Sequence, residues 1–106
     1  MDKKSKHMMD FISKAIEHLD ASGFEALEIL DVRSRLASRE PLLAEPDKAL
    51  LEKLDRRLLQ IAGSLKERIS EVADLAEMRR RAHILPSHWW WYLDEFSSDK
   101  LRAAAG

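Results

Sequence analysis

The apolar positions of this chain recur every three or four residues almost throughout, the period of an α-helix that turns one face inward. Met9, Ile12, Ile16 and Leu19 form one stripe, widened by Met8, Phe11 and Ala15, and predict a first helix over about 4–22. Gly23 stands where a C-terminal cap belongs, because glycine enters the left-handed region without strain. Leu27, Ile29, Leu30, Val32 and Leu36 predict a second helix over about 24–39 with a less regular stripe. Pro41 and Pro46 then end it and delay the next, since proline disfavours helix in the residue before it.

A third helix is predicted over 47–83, with Asp47 near its positive end. Leu51, Leu54, Leu58, Ile61, Leu65, Val72, Leu75 and Ala82 follow a heptad spacing. Leu50, Ala62, Ile69, Ala73 and Ala76 form a second stripe, so a broad side of the helix needs cover. Gly63-Ser64 is its weak point, where a bend is expected. Pro86 closes the helix, and Ser87 caps a short fourth one over 87–96.

Length then shapes the expectation. About 36 helical residues make a rod of about 54 Å, whereas a compact 100-residue domain has a radius of gyration of about 13 Å. The fold class expected is therefore all-α: an elongated hairpin or bundle of three main helices (4–22, 24–39, 47–83) plus the aromatic helix 87–96. The overlong rod calls for a second copy, a homodimer, to cover what its own neighbours leave bare. Residues 1–96 form one domain and 97–106 a flexible tail.

Composition narrows the class. Of 106 residues, 45% are hydrophobic and 35% charged, with three Gly and three Pro, which suits long amphipathic helices and not wholesale disorder. The net charge of −1 supplies no global field toward nucleic acid or an anionic membrane. No cysteine is present, so disulfides and thiolate metal sites are excluded. No apolar run reaches the roughly 20 residues of a membrane span, and the basic start lacks an apolar stretch behind it. A cytoplasmic chain without membrane contact is expected.

The most unusual segment is Trp89-Trp90-Trp91-Tyr92, followed by Phe96. Successive helical residues turn by about 100°, so these rings point around nearly the whole circumference. A helix packed on one side cannot hide them all, so the segment is either a lid, with two rings in the core and two flat on the surface, or a partner or self-association surface. Arg79, Arg80 and Arg81 lie just before. Together with the rings they would suit single-stranded nucleic acid across 79–92, although a basic run at a helix C-terminus also simply complements the dipole. The interaction surface expected is Trp89, Trp90, Trp91, Tyr92, Phe96, Arg79 and Arg80.

Catalytic constellations are thin. His7 and His18 are about 16 Å apart along one helix, too far to share a metal. His83 and His88 flank the proline turn without ligand spacing, and Ser87-His88 adjacency is not an activated pair. Glu25-x-x-Glu28 and Glu71-x-x-Asp74 each point two carboxylates one way, an arrangement that could hold Mg²⁺ against phosphates. These two motifs resemble the helical nucleoside-triphosphate pyrophosphohydrolases of the MazG type. The doubled glutamate of that family's first motif is missing, with Phe24 before Glu25. The spacing of Arg81 and His88 similarly resembles the arginine–histidine motif of the all-α HEPN ribonucleases, interrupted here by Pro86. The function expected is a non-catalytic, self-associating interaction module with no cofactor and no metal. A Mg²⁺-dependent pyrophosphohydrolase and a single-strand binder are the alternatives.

Overall fold

The computed structural model describes residues 2–18 and 22–95, and within them every regular element is helical. Helix α1 spans Lys3–Glu17, α2 Gly23–Ala37, α3 Glu45–Gln60, α4 Ala62–Ser70 and α5 Leu75–Ala82. Short 3₁₀ turns occupy Glu40–Leu42 and Trp89–Tyr92, the latter called here the aromatic turn. Leu19, the tail 97–106 and Phe96 lie outside the described residues.

Local chemistry starts each helix. Asp2 caps α1 by accepting from the Ser5 amide at 3.2 Å, and Ser22 caps α2 by accepting from the Glu25 amide at 3.3 Å. Gly23 therefore opens α2 instead of closing α1. Its smallness serves close packing: a Cβ there would lie 2.3 Å from the Arg68 carbonyl oxygen of α4. Pro46 sits in the first turn of α3, where its missing N–H costs nothing.

The predicted long rod does not exist. It is broken at Ile61, whose backbone leaves the helical region (φ −106°, ψ 12°), and again between Ser70 and Leu75. Asp74 restarts the chain as α5 by accepting from the Glu77 amide at 3.2 Å. These breaks fold the third segment back over the first two, and the principal extents are 34 × 32 × 29 Å. The elongated hairpin is replaced by a near-isometric bundle of five helices, and the homodimer loses the geometric need that motivated it.

Helix α2 is the hub, packing against α1, α4 and the aromatic turn, while α1 also lies on α3. Its irregular stripe follows: neighbours on several sides bury Ala26, Ile29, Leu30, Val32, Arg33 and Leu36. Met9, Ile12 and Ile16 of α1, Leu51, Leu54 and Leu58 of α3, and Ala62, Leu65 and Ile69 of α4 complete the core. Of the predicted stripes, Leu50, Val72, Ala76 and Ala82 end up exposed.

Candidate functional site

The aromatic segment adopts a tight turn where a short α-helix was expected. Helix α5 ends on His83, which takes the left-handed conformation (φ 53°, ψ 47°) and redirects the chain. Residues 89–92 then form a 3₁₀ turn between α2 and α5. With three residues per turn, positions three apart eclipse, so Trp90 and Leu93 point the same way. Trp90 is 2% exposed, Trp91 8% and Leu93 0%. Trp89 stands edge-on to Trp90 at 5.6 Å and is half-buried, like Tyr92. Two of the four rings are thus in the core and two remain half-exposed, the lid form of the two expected, held in a tight turn wedged between two helices and not in the expected α-helix.

What fixes the turn is a hydroxyl that sequence reasoning missed. The indole N–H groups of Trp90 and Trp91 both donate to Ser34 Oγ, at 2.9 and 2.7 Å. Ser34 Oγ also lies 3.2 Å from His88 Nδ1. A hydroxyl oxygen has two lone pairs and both are taken, so its own proton goes to Nδ1 and His88 carries its proton on Nε2. His88 in turn stacks on Trp90, centroids 4.8 Å apart. The Ser34–His88 contact resembles a nucleophile–base pair, but two indoles occupy the oxygen that would attack. It is a fastener.

Two arginines clamp the turn. Arg33, 3% exposed, lies 4.1 Å from the Trp90 ring and holds Asp55 through two bonds of 2.8 and 2.9 Å, with Glu40 at 2.7 Å. Burial alone would lower its pKa, but these two carboxylates hold it above the ordinary value. Arg79 donates to the Trp91 carbonyl at 2.9 Å, pairs with Asp94 and sits 4.6 Å from the Tyr92 ring centroid. The Tyr92 hydroxyl donates to the Ile84 carbonyl at 2.7 Å. Arg79 is thus engaged internally, while Arg80 is exposed and lies 3.9 Å from Glu77. Arg81 also pairs with Glu77, at 2.9 Å.

The carboxylate motifs do not converge. Glu25 and Glu28 line a depression against Phe11, Lys14 and His18, whereas Asp74 caps α5 and borders a separate hollow with Lys66 and Asp94. Among the described residues no three His, Asp or Glu side chains are grouped to hold a metal ion. No described helix is long and apolar enough to cross a membrane.

The outward chemistry concentrates around α1. Helices α2, α3 and α5 carry acids in their first turns, matching the helix dipole, whereas α4 and α1 carry none; α1 is capped by Asp2 and begins Lys3-Lys4-Ser5-Lys6. On one flank, Lys4, His7 and Met8 meet Arg35 of α2 and Ser38 and Arg39 just past its end, where Asp31 and Asp2 pair the two arginines at 2.9 and 2.7 Å. The other flank is a groove of about 340 Å³ between α1 and α3. Met9 and Leu54 floor it, Leu50 forms its lip, and Lys6, Lys53, Arg57, Asp10 and Ser13 surround it. Compared with known proteins, the chain matches no family model, no curated protein and no solved structure.

Proposed function

We propose that this chain is a non-catalytic protein-interaction module, and that its working surface is the one built around α1, not the aromatic turn. One observation carries the reading. Three lysines stand at the positive end of a helix dipole, where each costs a few tenths of a kcal/mol, about 0.3–1 at most. Of these, Lys6 lines the open apolar groove and has no carboxylate partner among the described residues, while Lys4 lines the opposite flank. Charge placed against the local field and left unpaired serves nothing inside the fold, so it points outward to a partner. The aromatic turn supports this division of labour, because its rings are spent on closing the core beneath α2.

The test is site-specific photo-crosslinking in cells of the source organism, with a benzophenone amino acid at exposed Leu50 and, as control, at exposed Arg80. Discrete protein adducts at position 50 and none at position 80 are expected. Adducts at neither position would remove the reading. So would Mg²⁺-dependent nucleotide hydrolysis abolished by Glu25→Gln.

A further inference from the structure

The α1–α3 groove has a shape and a charge pattern that select one kind of occupant. Helix α1 contributes Lys6, Met9, Asp10 and Ser13, and α3 contributes Leu50, Lys53, Leu54 and Arg57. Both sets run i, i+3, i+4, i+7, so each is a single straight seam of its helix, about 11 Å long. The two seams lie side by side, apolar along the floor and basic along the rim. We infer that this groove takes an acidic amphipathic helix of another protein, two to three turns long, with its apolar stripe on Met9, Leu50 and Leu54 and its carboxylates reaching Lys6, Lys53 and Arg57. The inference rests on the interaction reading above and names the partner's chemistry.

Charge complementarity excludes the nearest competitors. Neither Lys6 nor Lys53 has a carboxylate partner among the described residues, and Arg57 reaches Glu17 only at 3.8 Å. Three cations against the single carboxylate of Asp10 favour an acidic ligand. A second copy docked isologously would bring the same lysines face to face. The acidic side of α2, with Glu25, Glu28 and Asp31, makes a poor guest, because Phe24 is the one large apolar residue of that helix left exposed and supplies no i, i+3, i+4 stripe. A bilayer is flat, whereas Met9 and Leu54 lie at the bottom of a cleft and are 5% and 7% exposed. A helix laid into the cleft reaches both floor and rim, and the flexible thioether of Met9 adapts to its side chains.

The position of Asp10 adds a direction. It lies on the α1 rim, whereas the α3 rim holds Lys53 and Arg57 without an acid. The guest's carboxylates therefore concentrate on the flank facing α3.

The probe is a fluorescein-labelled 15-residue helical peptide with leucines at i, i+3, i+4 and i+7 and glutamates on both flanks, titrated with the full chain and followed by anisotropy at low salt. Saturable binding is expected, weakened roughly tenfold by Lys53→Glu and by Leu50→Glu, and unchanged by Arg80→Glu. Leu50 is 50% exposed, so its replacement leaves the melting curve intact. A peptide with lysine in place of every glutamate should not bind. Failure of the acidic peptide, equal binding to the Leu50→Glu chain, or preference for the lysine peptide would overturn the inference. So would a Leu50-dependent dimer mass in its place, or cosedimentation with phosphatidylserine vesicles. Persisting crosslinks at position 50 with no peptide binding would sink the acidic helix and spare the interaction module, whereas loss of both would remove the two together.

Discussion

Replacing Ser34 with alanine isolates the contact that holds the aromatic turn. The substitution removes one oxygen and a hydroxyl proton, and it suits the helix interior, since alanine is the best helix former. What it leaves behind is the cost. The indole N–H groups of Trp90 and Trp91 lose their shared acceptor, and His88 Nδ1 loses its donor. A buried donor left unpaired costs about 1–3 kcal/mol. Ser34 itself is half-buried, so water can reach part of the site and the two indoles together should cost about 2–4 kcal/mol. For a chain of this size that lowers the melting temperature by on the order of 10–25 °C. Urea unfolding followed by tryptophan fluorescence measures it directly, because both reporting rings sit at the contact. Ser34→Thr, which keeps the hydroxyl, should recover most of the loss, and Ser64→Ala at an exposed position should stay within about 0.5 kcal/mol. If Ser34→Ala matches Ser64→Ala, the shared acceptor contributes nothing and the account of the turn is wrong.

Other consequences can be measured in the same way. Asp55→Ala leaves the Arg33 guanidinium buried with only Glu40 beside it, and should cost about 3–5 kcal/mol in chemical denaturation. Gly23→Ala places a methyl group against the Arg68 carbonyl, which must move, and about 1–3 kcal/mol should be lost. His83→Gly relieves a left-handed residue at the end of α5 and should raise stability by about 0.5–1 kcal/mol, seen as a higher melting temperature. The Arg79 hydrogen bonds hold the Asp94 carboxyl below the usual aspartate value. The stabilisation is therefore fully present above the unfolded pKa of about 3.9 and is lost as pH falls from there through the folded value. Asp94→Asn should flatten the stability curve below about pH 4 and leave its slope at neutral pH unchanged.

How much of this was legible in the chain can be followed residue by residue. Apolar spacing alone identifies an all-helical protein, the connector at Glu40–Pro46 and the start of the third segment, because proline acts locally and burial imposes the 3.6-residue period. The breaks at Ile61 and at Ser70–Leu75 were harder to see. A stripe crosses a kink undisturbed when the inner side still faces the core. The buried set Ala62, Leu65 and Ile69 draws on both predicted stripes, because the chain rotates at Ile61 and presents a new face. The doubled stripe thus marked a change of inward face between successive helices, not one helix covered on a broad side. The missed signals were short: Ser22-x-x-Glu25 and Asp74-x-x-Glu77 both place a capping side chain three residues before a glutamate, the start of a helix.

The site was less legible because its contacts are long in sequence and short in space. Ser34 meets residues 54 to 57 positions away, and Arg33 meets Asp55 across 22. Nothing in the local pattern distinguishes these polar residues from solvated ones on the same helix. Arg33 falls four residues after Ile29 and so belongs to the inward side of α2, the one charged residue among those the described core buries. A buried ion pair of this kind contributes little net stability and mainly specifies position. Here it places a guanidinium against Trp90 and so keeps the aromatic turn in one place. By contrast the lysines of α1 stand against the helix dipole, with the capping Asp2 carboxylate beside them. The same sequence therefore uses its most conspicuous residues to close the core and its least conspicuous ones, Lys6, Leu50 and Lys53, to face outward. That inversion is why the proposed working surface rests on charge set against a helix dipole and not on ring count.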